Sequence, residues 1–366
     1  MNLLRHPRPS FRHAGRTARD AASILTRLVR VLVPAILVLS PSISGAQTGE
    51  LSPLFADDAP LRLTIAMDFD AVLKDRSDDP ADQPATLYEG DGETAHDIQV
   101  RTRGFYRLHY LNCDVPPLRL NFEKGAVAET VFEGQDKLKL VTPCQKGSDR
   151  FQQYVFQEYL IYRAYRLLTN RSFLTRLVHI TYVNTRDRHE SVSGFGFIIE
   201  DEDRMAERIG GSIIGNDVTI HPGATRQDAM TLLAVFQYMI GNTDWTVSTH
   251  HNIKLVFEDS TRTIVAVPYD FDWSGLIHTT YAIPSPKLGT RTVRERRFMG
   301  LCRDEEAFDA IFQRVHAVEV PILALFSDGA YLDESVAQRS VKYLQEFFEI
   351  TRSPRAVRRE FLRACL

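Results

Sequence analysis

The hydrophobic period of this chain changes partway along, and that change limits the folds open to it. Leu61, Leu63, Ile65 and Met67 alternate with other residues, the period of a strand with one buried face. Leu118, Leu120 and Phe122 repeat the pattern, as do Leu138 and Leu140. Further strands are expected near residues 86–88 and over 98–103, 177–183 and 194–199. From Phe151 the spacing turns helical: Val155, Phe156, Tyr159, Leu160, Tyr162, Ala164 and Leu167 recur at three and four residues, with Asp149 placed to cap the helix. A short helix is expected after Asp203. A second amphipathic helix, over residues 228–240, stops at Gly241. Two strands, 253–257 and 263–267, follow, and residues 304–364 read as helices. A sheet-rich first half with one long helix, then a helical second half with a small hairpin, predicts a two-lobed α+β plan. The lobes fall at residues 50–200 and 201–366.

The first 46 residues read as a signal peptide. Seven arginines and one acid, Asp20, precede a short apolar run, residues 31–39, and then Ser44-Gly45-Ala46. A positive segment, a short apolar core and a small-residue site are its parts, and nine apolar residues are too few to span a bilayer. Cleavage leaves 37 basic against 46 acidic residues, a net charge of −9. Nucleic acid is therefore excluded as a partner, because phosphate-backbone binding draws on clustered Lys and Arg. No stable membrane span is expected once the signal is removed, and the protein is expected in the periplasm or outside the cell. Four cysteines in an exported chain favour disulfides; of three pairings, Cys113–Cys144 and Cys302–Cys365 keep each bridge within one half of the chain.

Gly241-Asn242-Thr243-Asp244, then His251-Asn252, then Pro268-Tyr269-Asp270-Phe271-Asp272 carry the chemistry. One carboxylate can orient a hydroxyl nucleophile, while an amide oxygen and a second carboxylate, separated by strand, can hold Mg²⁺ on a nucleoside triphosphate. A phosphate-bound Mg²⁺ needs only one or two protein oxygens. Seven residues lie between Asp244 and Asn252, where ordinary protein kinases have four.

Other segments fall into the same order: Val100-Arg101-Thr102-Arg103-Gly104, Leu118-Arg119-Leu120, Leu138-Lys139-Leu140 before the long helix, and Phe197-Ile198-Ile199-Glu200. In this sequence of motifs, from about residue 60 to 300, the chain resembles the spore-coat kinase (CotH) family of bacterial atypical kinases. The resemblance implies an atypical protein-kinase-like fold with a sheet-rich N-lobe and a mainly helical C-lobe, ATP with Mg²⁺, and phosphoryl transfer to a protein hydroxyl. By position it makes Asp244 the catalytic carboxylate and Asn252 and Asp270 the metal ligands, with Asp272 an alternate ligand or a support behind them. Phe105-Tyr106 stands where the family often has Asn-Ser/Thr after Arg-Gly, which is a departure in the phosphate-facing loop.

A kinase also needs a strand lysine held by a helix glutamate. Lys139 and Glu158 are the expected pair; Arg119 is a further phosphate contact, and backbone near Glu200 would meet the base. Of His250 and His251, one is expected to face the cleft and one outward. Trp245 and Trp273 read as core anchors, and Arg291, Arg294, Arg296 and Arg297 as a solvated helix face. Two other readings stand beside phosphotransfer: a catalytically silent binding or assembly protein of the cell envelope on the same scaffold, and a hydrolase using Asp244, Asp270 and Asp272 as acid and base.

Overall fold

A computed structural model describes residues 51–366 except 91, 93, 110, 112, 124 and 188–190; the expected signal peptide lies outside the described residues. The described residues form one compact unit. In chain order its elements begin with β1 (Leu61–Met67), α1 (Phe69–Val72), β2 (Gln83–Glu89), β3 (Thr94–Thr102) and α2 (Phe105–His109). They continue with β4 (Leu118–Phe122), β5 (Lys137–Val141), α3 (Asp149–Leu168), β6 (Thr175–Asn184) and β7 (Ser191–Ile199). Then come α4 (Glu202–Arg208), β8 (Gly211–Ile213), α5 (Gln227–Ile240), β9 (Ile253–Glu258) and β10 (Thr263–Pro268). Four helices close the chain: α6 (Glu305–His316), α7 (Glu319–Ser327), α8 (Glu334–Arg352) and α9 (Pro354–Val357).

The first seven strands form a closed barrel in the order β1-β2-β3-β4-β5-β7-β6. Neighbours are antiparallel except at the seam, where β1 runs parallel to β6 from Leu61↔Val178 to Met67↔Asn184. This corrects the expected two-lobed, kinase-like plan: the sheet has no open edge but is a mixed barrel followed by a helical region. Period-two patterning specifies which side chains face inward and carries no information on whether the two outer strands meet. Leu63, Ile65 and Met67 fill the interior with Leu87, Val100, Leu120, Leu138 and Ile180, as expected for a small barrel.

Strand β7 explains how the barrel joins the rest. Ile198 belongs to the barrel interior, whereas its neighbours Phe197 and Ile199 pack into a second core with α3. Both faces of β7 are thus covered, and its last residues are continuously apolar. Helix α3 is buried nearly all round, from Phe151 to Leu168, which marks it as a central helix. Leu167, expected on its apolar face, is 42% exposed. Its N-cap is Ser148, with Asp149 in the first turn, where a negative charge suits the helix dipole. The second core continues through α5, the β9–β10 hairpin, α6 and α8. Strand β8 extends that hairpin into a three-stranded sheet. Among the described residues no single helix is long and apolar enough to cross a membrane, although α6 and α7, bent by 47°, pass together on length and composition.

Disulfides join Cys113 to Cys144 and Cys302 to Cys365, which fits an oxidising, exported environment. The first packs with Phe151 and Tyr281 beside α3; the second ties the C-terminus to the segment before α6. Cys302–Cys365 closes a loop with a sequence separation of 63, so chain entropy assigns it about 4 kcal/mol. Replacing both residues with serine is expected to lower unfolding free energy by about that amount in a denaturant titration. An unchanged midpoint would contradict the assignment.

Candidate active site

A cavity of about 390 Å³ lies where the barrel meets the helical region, lined by Arg103, Glu158, Asp244, Asn252, Asp270 and Asp272 among others. Each of these reaches it by a distinct local device. Helix α5 ends on Gly241, which has φ +65°, and a Cβ there would collide with the Tyr343 hydroxyl. The chain can therefore turn sharply only with glycine at this point. Asn242, buried just beyond, accepts a hydrogen bond from the Asp244 amide at 3.0 Å.

The seven residues between Asp244 and Asn252 fold back as a small hairpin closed by a Thr246–His251 bridge. The Asn252 amide donates to the Asp244 carboxylate at 2.9 Å and to its carbonyl at 2.7 Å. Nε2 of His251 lies 2.9 Å from the same carboxylate. That contact raises the His251 pKa, burial opposing it. The longer spacing thus still brings Asp and Asn side by side. Antiparallel pairing of Ile253 with Pro268 then returns the chain next to Asn252, where the Tyr269 amide donates to the Asn252 carbonyl at 3.1 Å. Asp270 follows directly. Asn252 and Asp270 both have left-handed backbones, φ 52° and 61°.

Below them is a buried charge cluster. Arg107, on the short helix α2, donates to the Asp272 carboxylate at 2.9 and 3.3 Å and reaches Glu158 at 3.5 Å. The Tyr281 hydroxyl donates to Asp272 at 3.0 Å, and that of Tyr162 lies 2.8 Å from the Asp270 amide. Burial works against the Arg107 charge, but Tyr281, Asp272 and Glu158 outweigh it and hold its pKa above the ordinary arginine range. Burial raises the Glu158 pKa to about 8, with Arg107 opposing and the other acids adding. Burial and the Asp272 charge raise Asp270 to about 7, with Arg107 and Arg103 opposing. Three carboxylates face one buried guanidinium, so the cluster has more negative than positive charge when ionised.

Not every expected residue lines this cavity. Lys139 and Glu158 do not pair: the Lys139 ammonium bonds Glu202 at 3.1 Å, as does that of Lys254 at 3.0 Å, and Lys139 sits 5.1 Å from the Tyr269 ring centroid. Adjacent strand position and helix position alone cannot say which acid a lysine will choose, and α4 supplies one nearer. Lys139 and Arg119 line a neighbouring cavity of about 340 Å³, which the Arg103–Phe105 turn also borders. Glu200 is buried elsewhere, accepting from the Leu174 amide and from Arg208. Its neighbour Ile199 lines the main cavity instead.

His251 faces the cavity, but His250 is buried against the Val218 carbonyl at 2.7 Å rather than turned outward. Trp245 is a core residue; Trp273 lines the cavity and packs edge-on to Tyr106. The 291–297 run is not helical: Arg294 and Arg296 fold over the Tyr343 ring at 4.6 and 3.7 Å. Two cationic residues of the cavity were not expected as site residues. Arg107 could have been sought as the partner that a buried Glu158 requires. Arg103 belongs to the Arg-Gly turn and, among the described residues, has no acid within ion-pair distance. Among the described residues no three His, Cys, Asp or Glu side chains converge as a metal cage.

The raised pKa values have a direct consequence. Glu158 and Asp270 bind protons more tightly in the folded protein than at their ordinary values of 4.5 and 3.8. Their contribution to stability is therefore complete below about pH 4 and is lost as pH rises through about 7 to 8. In metal- and nucleotide-free buffer the melting temperature is expected to fall between about pH 5 and pH 8 more steeply for the native chain than for Glu158→Gln. Equal slopes would contradict this.

No family model matches this chain, and no curated protein matches it significantly.

Proposed function

We propose that the cavity performs phosphoryl transfer from a Mg²⁺-bound nucleoside triphosphate, ATP in the first instance, to a protein hydroxyl. The observation that carries this reading is the convergence of Asp244, Asn252 and Asp270 on one cavity that also presents Arg103. Asp244, clamped by His251 and Asn252, accepts the proton of the acceptor hydroxyl as its oxygen attacks the terminal phosphorus. The bond from that phosphorus to the bridging oxygen breaks, and the electron pair leaves on the nucleoside diphosphate. Arg103 offers an unpaired guanidinium to the phosphate oxygens. Arg107 holds Asp272 and Glu158 in place.

The donor set suits a magnesium ion. The Asn252 amide nitrogen is committed to Asp244, which leaves its oxygen as an acceptor, and the Asp270 carboxylate is raised in pKa by burial and by Asp272, an environment that a cation relieves. Bound by Asn252 and Asp270, Mg²⁺ would neutralise phosphate charge during transfer. The reading rests on this chemistry and not on a kinase fold.

One observation favours a second reading, a catalytically silent binding protein of the cell envelope. Lys139 is held by Glu202 and Glu158 by Arg107, so the lysine–glutamate arrangement of an active kinase is not assembled. Two measurements separate the readings. Mg²⁺ and ATP together are expected to raise the melting temperature, and Asp270→Asn to abolish most of that rise. Transfer from labelled ATP to a generic protein acceptor is expected to fall about 10²–10⁴-fold in Asp244→Asn, with the thermal shift retained. A shift without transfer in the native protein supports the binding reading; no shift removes the nucleotide site.

A further inference from the structure

A second polar cavity of about 350 Å³ is lined by other residues of α3, and it shares no lining residue with the candidate active site. Arg150, Arg294 and Arg339 line it, with His278, against a single acid, Asp333. The three arginines come from three separated elements: the first turn of α3, the loop that covers Tyr343, and α8. Neither Arg150 nor Arg339 has an acid within ion-pair distance among the described residues. Arg294 is already oriented, because its guanidinium lies 4.6 Å from the Tyr343 ring centroid and donates to the Gly275 carbonyl at 3.4 Å. Such stacking fixes the planar fork and lowers the entropy lost when it binds.

The remaining walls are polar as well. Gln157 is buried and donates to the Leu276 carbonyl and to Ser340, and Gln153 accepts from the Asp333 amide at 2.9 Å. Both glutamines are thereby held rigid at the floor. Burial, and secondarily the Arg294 charge, hold His278 below the ordinary histidine range. His278 also has a left-handed backbone, φ 55°. Arg150, Arg294 and Arg339 line one concave site, where each guanidinium can bind an anion through paired N–H donors.

We propose that this cavity binds a small, multiply charged phosphate-type anion, of the diphosphate class, at Arg150, Arg294 and Arg339. Its volume matches the low end of small-ligand sites, and two phosphoryl groups let three guanidiniums be satisfied at once. The site is separate from the nucleotide cavity, but the two lie on shared elements. Gln157 adjoins Glu158 on α3, and Leu276 and His278 follow Asp272 on one loop.

The test is calorimetric titration of inorganic pyrophosphate into the mature protein without divalent metal. Binding is expected, weakened at least tenfold in the double variant Arg150→Gln/Arg339→Gln and unchanged in Asp270→Asn. Both arginines are exposed, so the double variant should fold, which an unchanged melting temperature in pyrophosphate-free buffer checks; should it not fold, Arg339→Gln alone supplies the comparison. Sulfate, with one oxyanion centre, is expected to bind more weakly than pyrophosphate. Absence of binding overturns the proposal. So does binding that survives the double variant, or that is lost in Arg103→Gln instead, which would put the anion in the active-site cavity.

Discussion

The Arg107 guanidinium is the interaction on which the rest of the site depends. It is the buried cation at which three parts of the chain meet: α2 after the barrel turn, α3 through Glu158, and the segment after β10 through Asp272. Removing a buried partner from such a network leaves uncompensated charge, which costs far more than the network contributes net. The Cys113–Cys144 disulfide, five aromatic rings and Arg107 lie in one neighbourhood, since Phe151, Tyr281, Tyr106, Tyr154 and Trp273 pack about the bridge. The covalent staple and the charge network therefore restrain the same short helix. Position, more than affinity, is what this arrangement secures for Asp272 and Glu158.

The barrel has a matching role at a larger scale. Its interior is wholly apolar over most strands, while β7 turns one face inward and the other toward α3. A helix so enclosed cannot shift without disturbing the core it shares with β7, and it carries Glu158 and Tyr162 into the cavity. The small hairpin of β9 and β10 does the equivalent for Asn252 and Asp270, because its register sets them next to each other.

Local features of the fold were legible; their closure was not. Alternation at Leu63–Met67 and the three- and four-residue spacing after Phe151 reflect which faces are buried, and those faces are buried except at Leu167. Barrel closure depends on the parallel pairing of β1 with β6, strands far apart in the chain, and no local period reports it. In the site, Asn and Asp within turn-forming sequence mark Asp244, Asn252 and Asp270, which the fold brings to one cavity. Lys139 and Glu158 also stood out, yet their partners are Glu202 and Arg107, chosen by three-dimensional proximity that strand and helix positions do not encode. Glu200 drew notice for its backbone; its carboxylate is bound by Arg208, and its neighbour Ile199 lines the cavity.

Backbone handedness at Asn252 and Asp270 has an implication for how these positions can vary. A left-handed conformation costs most residues about 1–2 kcal/mol, but asparagine and aspartate tolerate it because their short polar groups bond locally. The oxygen donors of the cavity and the bend of the chain thus favour the same two amino acids. Alanine at either place would remove a polar side chain from the cavity and load the main chain at once, mixing two losses in one observation. The Asp/Asn exchange isolates charge from conformation, which makes it the informative comparison at this turn.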